Sequence, residues 1–180
     1  MPEVPLPVTR YILIAAVAVV ALKGSASAQA MFTGSIGNVF GGDAPSTKKT
    51  WALAIGGGGA HGIGSELEFS HTGNFFETPN GVAHGKIVTL MPSIFVAIPI
   101  DIVRPYGIFG FGFIRQRTQE STGGLLSDLS DDDIGYNVGA GVIVKFSRSL
   151  GIRGDFRHFK VRTSDGISFK RLTVGLVIGG

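Results

Sequence analysis

The sequence predicts an all-β fold: an eight-stranded antiparallel up-and-down transmembrane β-barrel behind an N-terminal signal peptide. Three observations carry this. Apolar residues recur at period two in eight segments separated by Gly, Asp, Ser and Pro clusters, the connections between segments alternate in length, and the ionisable residues within several segments fall on one face. At 180 residues the chain is long enough for one domain and too short for two ordinary ones.

The first element is the leader. Residues 11–22 read YILIAAVAVVAL, preceded by Arg10 and followed by Lys23, Gly24 and a run of small residues. A dozen apolar residues between a basic flank and small-x-small sites is the layout of a secretory signal, and it falls short of the roughly 20 apolar residues a spanning helix needs. Two cleavage sites overlap, Ala26-Ser27-Ala28 and Ala28-Gln29-Ala30. The second is the expected one, giving a cleaved signal peptide over 1–30 and a barrel domain over 31–180.

Strands are expected at 31–40, 50–57, 63–71, 86–98, 105–117, 134–146, 151–162 and 167–178. Longer connections fall at 41–49, 72–85 and 118–133, and shorter ones at 58–62, 99–104 and 147–150. Bacterial outer-membrane barrels place short turns at the periplasmic end and long loops outside, so the alternation points to that architecture. The last connection, 164–166, is tight and departs from the trend.

Strand faces decide between a membrane barrel, apolar outside, and a soluble one, apolar inside. In strand six Val138, Ala140, Val142, Val144 and Phe146 share one face, and Asn137, Gly139, Gly141, Ile143 and Lys145 the other. In strand seven Arg153, Asp155 and Arg157 alternate with Ile152, Gly154, Phe156 and His158. Glu66 and Glu68 oppose Leu67 and Phe69 in strand three, and Arg171 opposes Leu172 and Val174 in strand eight. Charges inside a narrow eight-stranded barrel must pair, because an isolated one pays a severe desolvation cost. The expectation is an internal ion-pair network of Glu66 and Glu68 with some of Arg153, Arg157, Arg171 and Lys145, and Asp155 between them. Gly110, Gly112, Gly139 and Gly141 lie on the inward face and leave room for those long side chains.

The composition narrows the chemistry. With no cysteine, disulfides, thiolate metal sites and thiol nucleophiles are excluded. Without Arg10, Lys23 and Glu3 of the leader, 14 basic residues face 12 acidic ones in no cluster or basic helix, so nucleic acid is not an expected partner. His61, His71, His84 and His158 have no metal-ligand spacing, and no metal or cofactor is expected. Gly56 to Gly64 is glycine-rich but lacks the Lys-Ser/Thr and helix of a phosphate loop. The acidic tract Ser127 to Asp133 lacks the glycine turn and closing glutamate of a calcium loop and reads as a solvated outer loop. His158, Ser164 and Asp165 are three common residue types near the outer rim, a weak basis for a hydrolase triad.

Pro105-Tyr106-Gly107-Ile108-Phe109-Gly110-Phe111-Gly112-Phe113 resembles the PYxxxGxGx strand of the OmpA-like/opacity-type outer-membrane β-barrel domain family. The stretch from Asn137-Val138-Gly139-Ala140-Gly141-Val142 to Gly151-Ile152-Arg153-Gly154-Asp155-Phe156-Arg157 is similar to its GxG…GLRxEYRY hairpin. The resemblance implies an eight-stranded barrel in the bacterial outer membrane with both termini in the periplasm. It also implies outer-membrane lipids and lipopolysaccharide, and the barrel-assembly machinery, as partners. Family members usually end in an aromatic residue, whereas this chain ends Ile178-Gly179-Gly180; no peptidoglycan-binding domain is expected to follow. Trp51, Tyr106 and Tyr136 are the only Trp and Tyr available for aromatic belts after the leader.

The leading functional expectation is a monomeric structural or surface-interaction barrel of the adhesin or antigen kind. It meets an unknown ligand through outer loops carrying Lys48, Lys49, Asn74, Phe75, Phe76 and the acidic tract, with no catalysis. The alternatives are a narrow pore, a soluble periplasmic lipocalin-like carrier and, least favoured, a lipid A-modifying barrel enzyme.

Overall fold

The computed structural model describes residues 29–44, 46–58, 62–73, 83–122, 125–162 and 167–179. They form eight strands: β1 (Gln29–Phe40), β2 (Lys48–Gly58), β3 (Ile63–Thr72), β4 (Ala83–Ala97), β5 (Val103–Thr122), β6 (Leu125–Lys145), β7 (Leu150–Val161) and β8 (Ser168–Gly179). Each pairs antiparallel with the next, and β8 returns to β1 through pairs such as Ile36 with Val174, so the sheet closes and no edge is left open. The eight elements, their order and the closure match the sequence expectation.

Side-chain alternation runs the expected way. Along β8, Phe169, Arg171, Thr173, Gly175 and Val177 are buried while Leu172, Val174, Leu176 and Ile178 are exposed. The outer wall is an apolar band, with Phe32, Ile36, Leu53, Ile94, Phe109, Phe111, Val138 and Phe156 among the exposed residues. In water this surface would be a large unfavourable patch; against lipid it is the wall of a membrane barrel.

At one end of the barrel, called here the terminus end, lie Gln29, Gly179 and the connections after β2, β4 and β6. At the other, β5 and β6, 20 and 21 residues long in all, run on as a ribbon paired out to Thr122 with Leu125. This corrects the expected outer loop over 118–133: nearly all of it, including the acidic tract, is strand. The Ser, Thr, Gly and Asp content reads locally as loop, yet ladder pairing with β5 continues unbroken, placing Arg115 across from Asp132. Lys48 and Lys49 likewise open β2 instead of lying in a loop. Asn74, Phe75, Phe76, Ser164 and Asp165 lie outside the described residues, as does the leader up to Ala28.

The turn after β1 is closed by Gly41 and Gly42, both left-handed at φ 67° and 63°, where a side chain would strain the backbone. Beyond them Asp43 donates its N–H to Ser168 O at 2.8 Å and accepts the Ser168 N–H on Oδ2 at 2.7 Å, tying this turn to the start of β8.

The interior is layered, which the face pattern alone did not show. Near the terminus end Met31, Phe95, Tyr106, Ile108, Ile143 and Val177 pack together. Toward the ribbon end Val39, Ile87, Met91, Ile114, Phe159, Val161 and Phe169 form a second apolar cluster. A bore this narrow is filled by side chains, and layers that hold no ion pair must be packed with apolar ones.

The buried charge layer, a candidate functional site

Between the two apolar clusters lie six buried ionised residues from three strands: Glu66 and Glu68 of β3, Arg153, Asp155 and Arg157 of β7, and Arg171 of β8. Alternation puts each inward, and barrel closure brings β3 across the bore from β7 and β8. Arg153 forks onto Glu66, with Nη1 to Oε2 at 2.6 Å and Nη2 to Oε1 at 3.2 Å. Arg157 Nη2 reaches Glu66 Oε1 at 2.6 Å and Glu68 Oε2 at 3.3 Å. Arg171 Nη2 lies 2.6 Å from Glu68 Oε1. Asp155 bridges its neighbours, accepting from Arg153 Nη2 at 2.9 Å and Arg157 Nε at 2.7 Å.

Three carboxylates against three guanidiniums make the layer formally neutral, which keeps its desolvation cost bearable in a low-dielectric interior. Forked Arg–carboxylate geometry adds direction to the attraction. The Arg171 guanidinium carbon also stands 4.8 Å from the centre of the Phe159 ring, itself stacked on Phe169 at 4.9 Å, so the layer is joined to the apolar cluster above it. Arg157 Nη1, Arg171 Nη1 and the Asn137 amide are buried with no hydrogen-bond partner among the described residues, so the layer is richer in donors than in acceptors.

Of the seven residues singled out from sequence, Lys145 is the one the structure sets apart. It is half-buried at the end of β6, across from Gly151, one inward position beyond the pairing of Ile143 with Arg153. Tyr106 is the residue that sequence reasoning placed wrongly. It is buried rather than at the membrane interface; its hydroxyl donates to Asp155 and accepts from Arg153 Nε at 2.5 Å. Its parity was readable, because it shares a face with Gly110 and Gly112. Gly139 and Gly141 are required at their positions. A Cβ at Gly139 would sit 2.8 Å from Arg157 Cγ, and one at Gly141 would run into the Tyr106 hydroxyl and Gly154 O.

All three carboxylates are ion-paired and buried between the two apolar clusters. His158 faces outward from β7.

The chain is similar to known outer-membrane barrels. The family described as outer membrane protein beta-barrel domain matches residues 11–178. Among solved structures, Neisserial surface protein A superposes with a TM-score of 0.68 at 13% identity, over 87% of this chain and 99% of that one. The attachment invasion locus protein Ail of Yersinia pestis gives 0.60 at 14%, over 86% and 99%. The N-terminal β-barrel domain of Pseudomonas aeruginosa OprF gives 0.53 at 17%, over 83% and 97%. No curated protein sequence matches.

Proposed function

From the premise that this chain belongs to the outer membrane protein beta-barrel domain family and sits in the bacterial outer membrane, we propose that it acts through its outer end, as a structural and surface-interaction barrel that neither conducts solutes nor catalyses. The observation supporting this is the filled bore, with apolar clusters around Phe159 and around Phe95 closing the charge layer from both sides. In this reading residues 1–30 contain a cleaved export signal and the six-charge layer is structural, fixing the register of β3, β7 and β8. The partners are outer-membrane lipids and lipopolysaccharide along the wall, the barrel-assembly machinery during insertion, and a ligand at the β5–β6 ribbon and neighbouring turns. The similar fold of Ail, a protein also solved with the heparin analogue sucrose octasulfate, makes sulfated glycans a first ligand class to try.

Two measurements test the reading. Planar-bilayer recordings of the purified barrel are expected to show no stable conductance steps; regular steps would replace it with the pore. Incubation with lipid A, followed by mass spectrometry, is expected to leave the acyl chains intact.

A further inference from the structure

The apolar band on the outer wall is not the same height all round. On β4, β5 and β6 the outward apolar positions run from Val88 to Ile98, Val103 to Phe113 and Ile134 to Phe146, broken by no charge. On the five contiguous strands β7, β8, β1, β2 and β3 the uninterrupted runs are shorter, Leu150 to Phe156, Leu172 to Ile178, Ala30 to Ile36, Trp51 to Gly57 and Ile63 to Phe69, with Ser65 inside the last and Phe40 standing beyond Asn38 on β1, its ring against Phe156. At about 3.3 Å per residue and a tilt of about 40°, ten to twelve residues rise about 25 to 30 Å and six rise only about 15 Å. A barrel band in this membrane is about 25 Å tall. The β4–β6 side matches the hydrocarbon, and on β7, β8, β2 and β3 the wall falls short by roughly 10 Å.

The residues just beyond the short bands, toward the ribbon end, are His158 and Lys160 on β7, Lys170 on β8, Asn38 on β1, Lys49 on β2 and His71 on β3. His158 and Lys170 are direct ladder partners, and all three lysines are exposed. Among the described residues of these five strands no acidic side chain faces outward, since Glu66, Glu68 and Asp155 are all buried inside. At the terminus end the outward positions of the same strands are Leu150, Ile178, Ala30, Gly57 and Ile63, with no cation.

We propose that this face binds the phosphate groups of an acylated glycolipid of the outer leaflet, with Lys160, Lys170 and His158 as the headgroup contacts and Phe156, Leu172 and Val174 beneath its acyl chains. Where a wall is too short for the hydrocarbon, the bilayer thins beside it and the headgroups move toward the midplane. Anionic headgroups then come level with these cations, in a medium of lower dielectric than water, where the attraction is stronger than at an ordinary surface. The lipid's two parts, charged and acyl, match the wall's two parts in order. The proposal rests on the lipid contact in the preceding functional reading and gives it a location.

The test uses the full chain, extracted from outer membranes in detergent, stripped of lipid by exchange and titrated with lipid A under native mass spectrometry. Wild type is expected to bind at least about tenfold more tightly than Lys160→Gln/Lys170→Gln, and dephosphorylated lipid A is expected to bind wild type as weakly as lipid A binds that variant. Lys86→Gln, on the tall side, is expected to bind as wild type does. Faster gel migration before heating than after checks that each variant is folded. If the double variant fails that check, Lys170→Gln alone carries the titration and is expected to lose severalfold. Equal binding by wild type and variant, or indifference to the phosphates, overturns the proposal. So does efficient disulfide cross-linking of Val174→Cys between two barrels, which would show a second copy covering this face. Conductance and acyl-chain integrity test the functional reading separately, so either can fail without the other.

Discussion

Arg157 Nη2 lies 2.6 Å from Glu66 Oε1, with each side chain only 1% exposed, and the two residues are 91 positions apart in sequence. Removing one member strands the other as a buried charge. Glu66→Ala is expected to cost about 3 to 5 kcal/mol, read as a lowered midpoint for urea unfolding of the barrel refolded into lipid vesicles. Glu66→Leu and Asp155→Leu with Arg153→Leu and Arg157→Met, which removes two charges of each sign and leaves Glu68 paired with Arg171, is expected to lose less than Glu66→Ala alone. A quadruple variant worse than the single would show that the ion pairs, not the avoidance of bare charge, carry the stability.

Glu68 gives the charge-reversal experiment its partner. Its nearest cation is Arg171 of β8 at 2.6 Å, with Arg157 of β7 further off at 3.3 Å. Glu68→Arg is expected to prevent or strongly impair folding, and adding Arg171→Glu is expected to restore heat-modifiable migration in part. Restoration by Arg157→Glu but not by Arg171→Glu would contradict the observed pairing.

Tyr106→Phe removes one hydroxyl from between Asp155 and Arg153 while keeping the ring. Leaving two buried charged partners short of a hydrogen bond is expected to cost about 1 to 3 kcal/mol by the same unfolding measurement. A cost near zero would mean the hydroxyl only fills space.

Gly141→Val is expected to destabilise by about 1 to 3 kcal/mol, because its side chain would collide with Tyr106 and with the Gly154 carbonyl. Val142→Ala, next to it on the lipid face, is expected to have a smaller effect, and the comparison separates inward crowding from simple changes in strand propensity.

Gln29 and Ala30 pair with Gly58 and Gly57 as the first residues of β1. Cleavage after Ala30 would remove both from the ladder, whereas cleavage after Ala28 keeps β1 whole. N-terminal sequencing of the protein isolated from outer membranes is expected to begin at Gln29; a start at Met31 would show that these two pairs are dispensable.

The strand count, the faces and the six buried charges were legible because a β-strand has a strict period of two. Once Arg153, Asp155 and Arg157 alternate with apolar residues, their common direction follows. What parity cannot give is distance along the axis: Lys145 has the inward parity of Ile143, yet it stands half-buried at the end of β6, across from Gly151. Tyr106 was missed for a different reason. Weighing it as an amphipathic aromatic outranked its position in line with Gly110 and Gly112. The β5–β6 ribbon was hidden because Ser, Asp and Gly favour turns locally, and only the continuing ladder with the partner strand overrides that preference.

The charge layer joins residues 87, 91 and 103 positions apart, with β3 contributing Glu66 and Glu68, and β7 and β8 the three arginines that hold them. A growing sheet that entered hydrocarbon strand by strand would carry two bare carboxylates through much of its insertion, at a cost no half-built cylinder can offset. The chain is therefore committed to a concerted route, in which the last hairpin arrives before the bore loses contact with water, and sealing follows neutralisation.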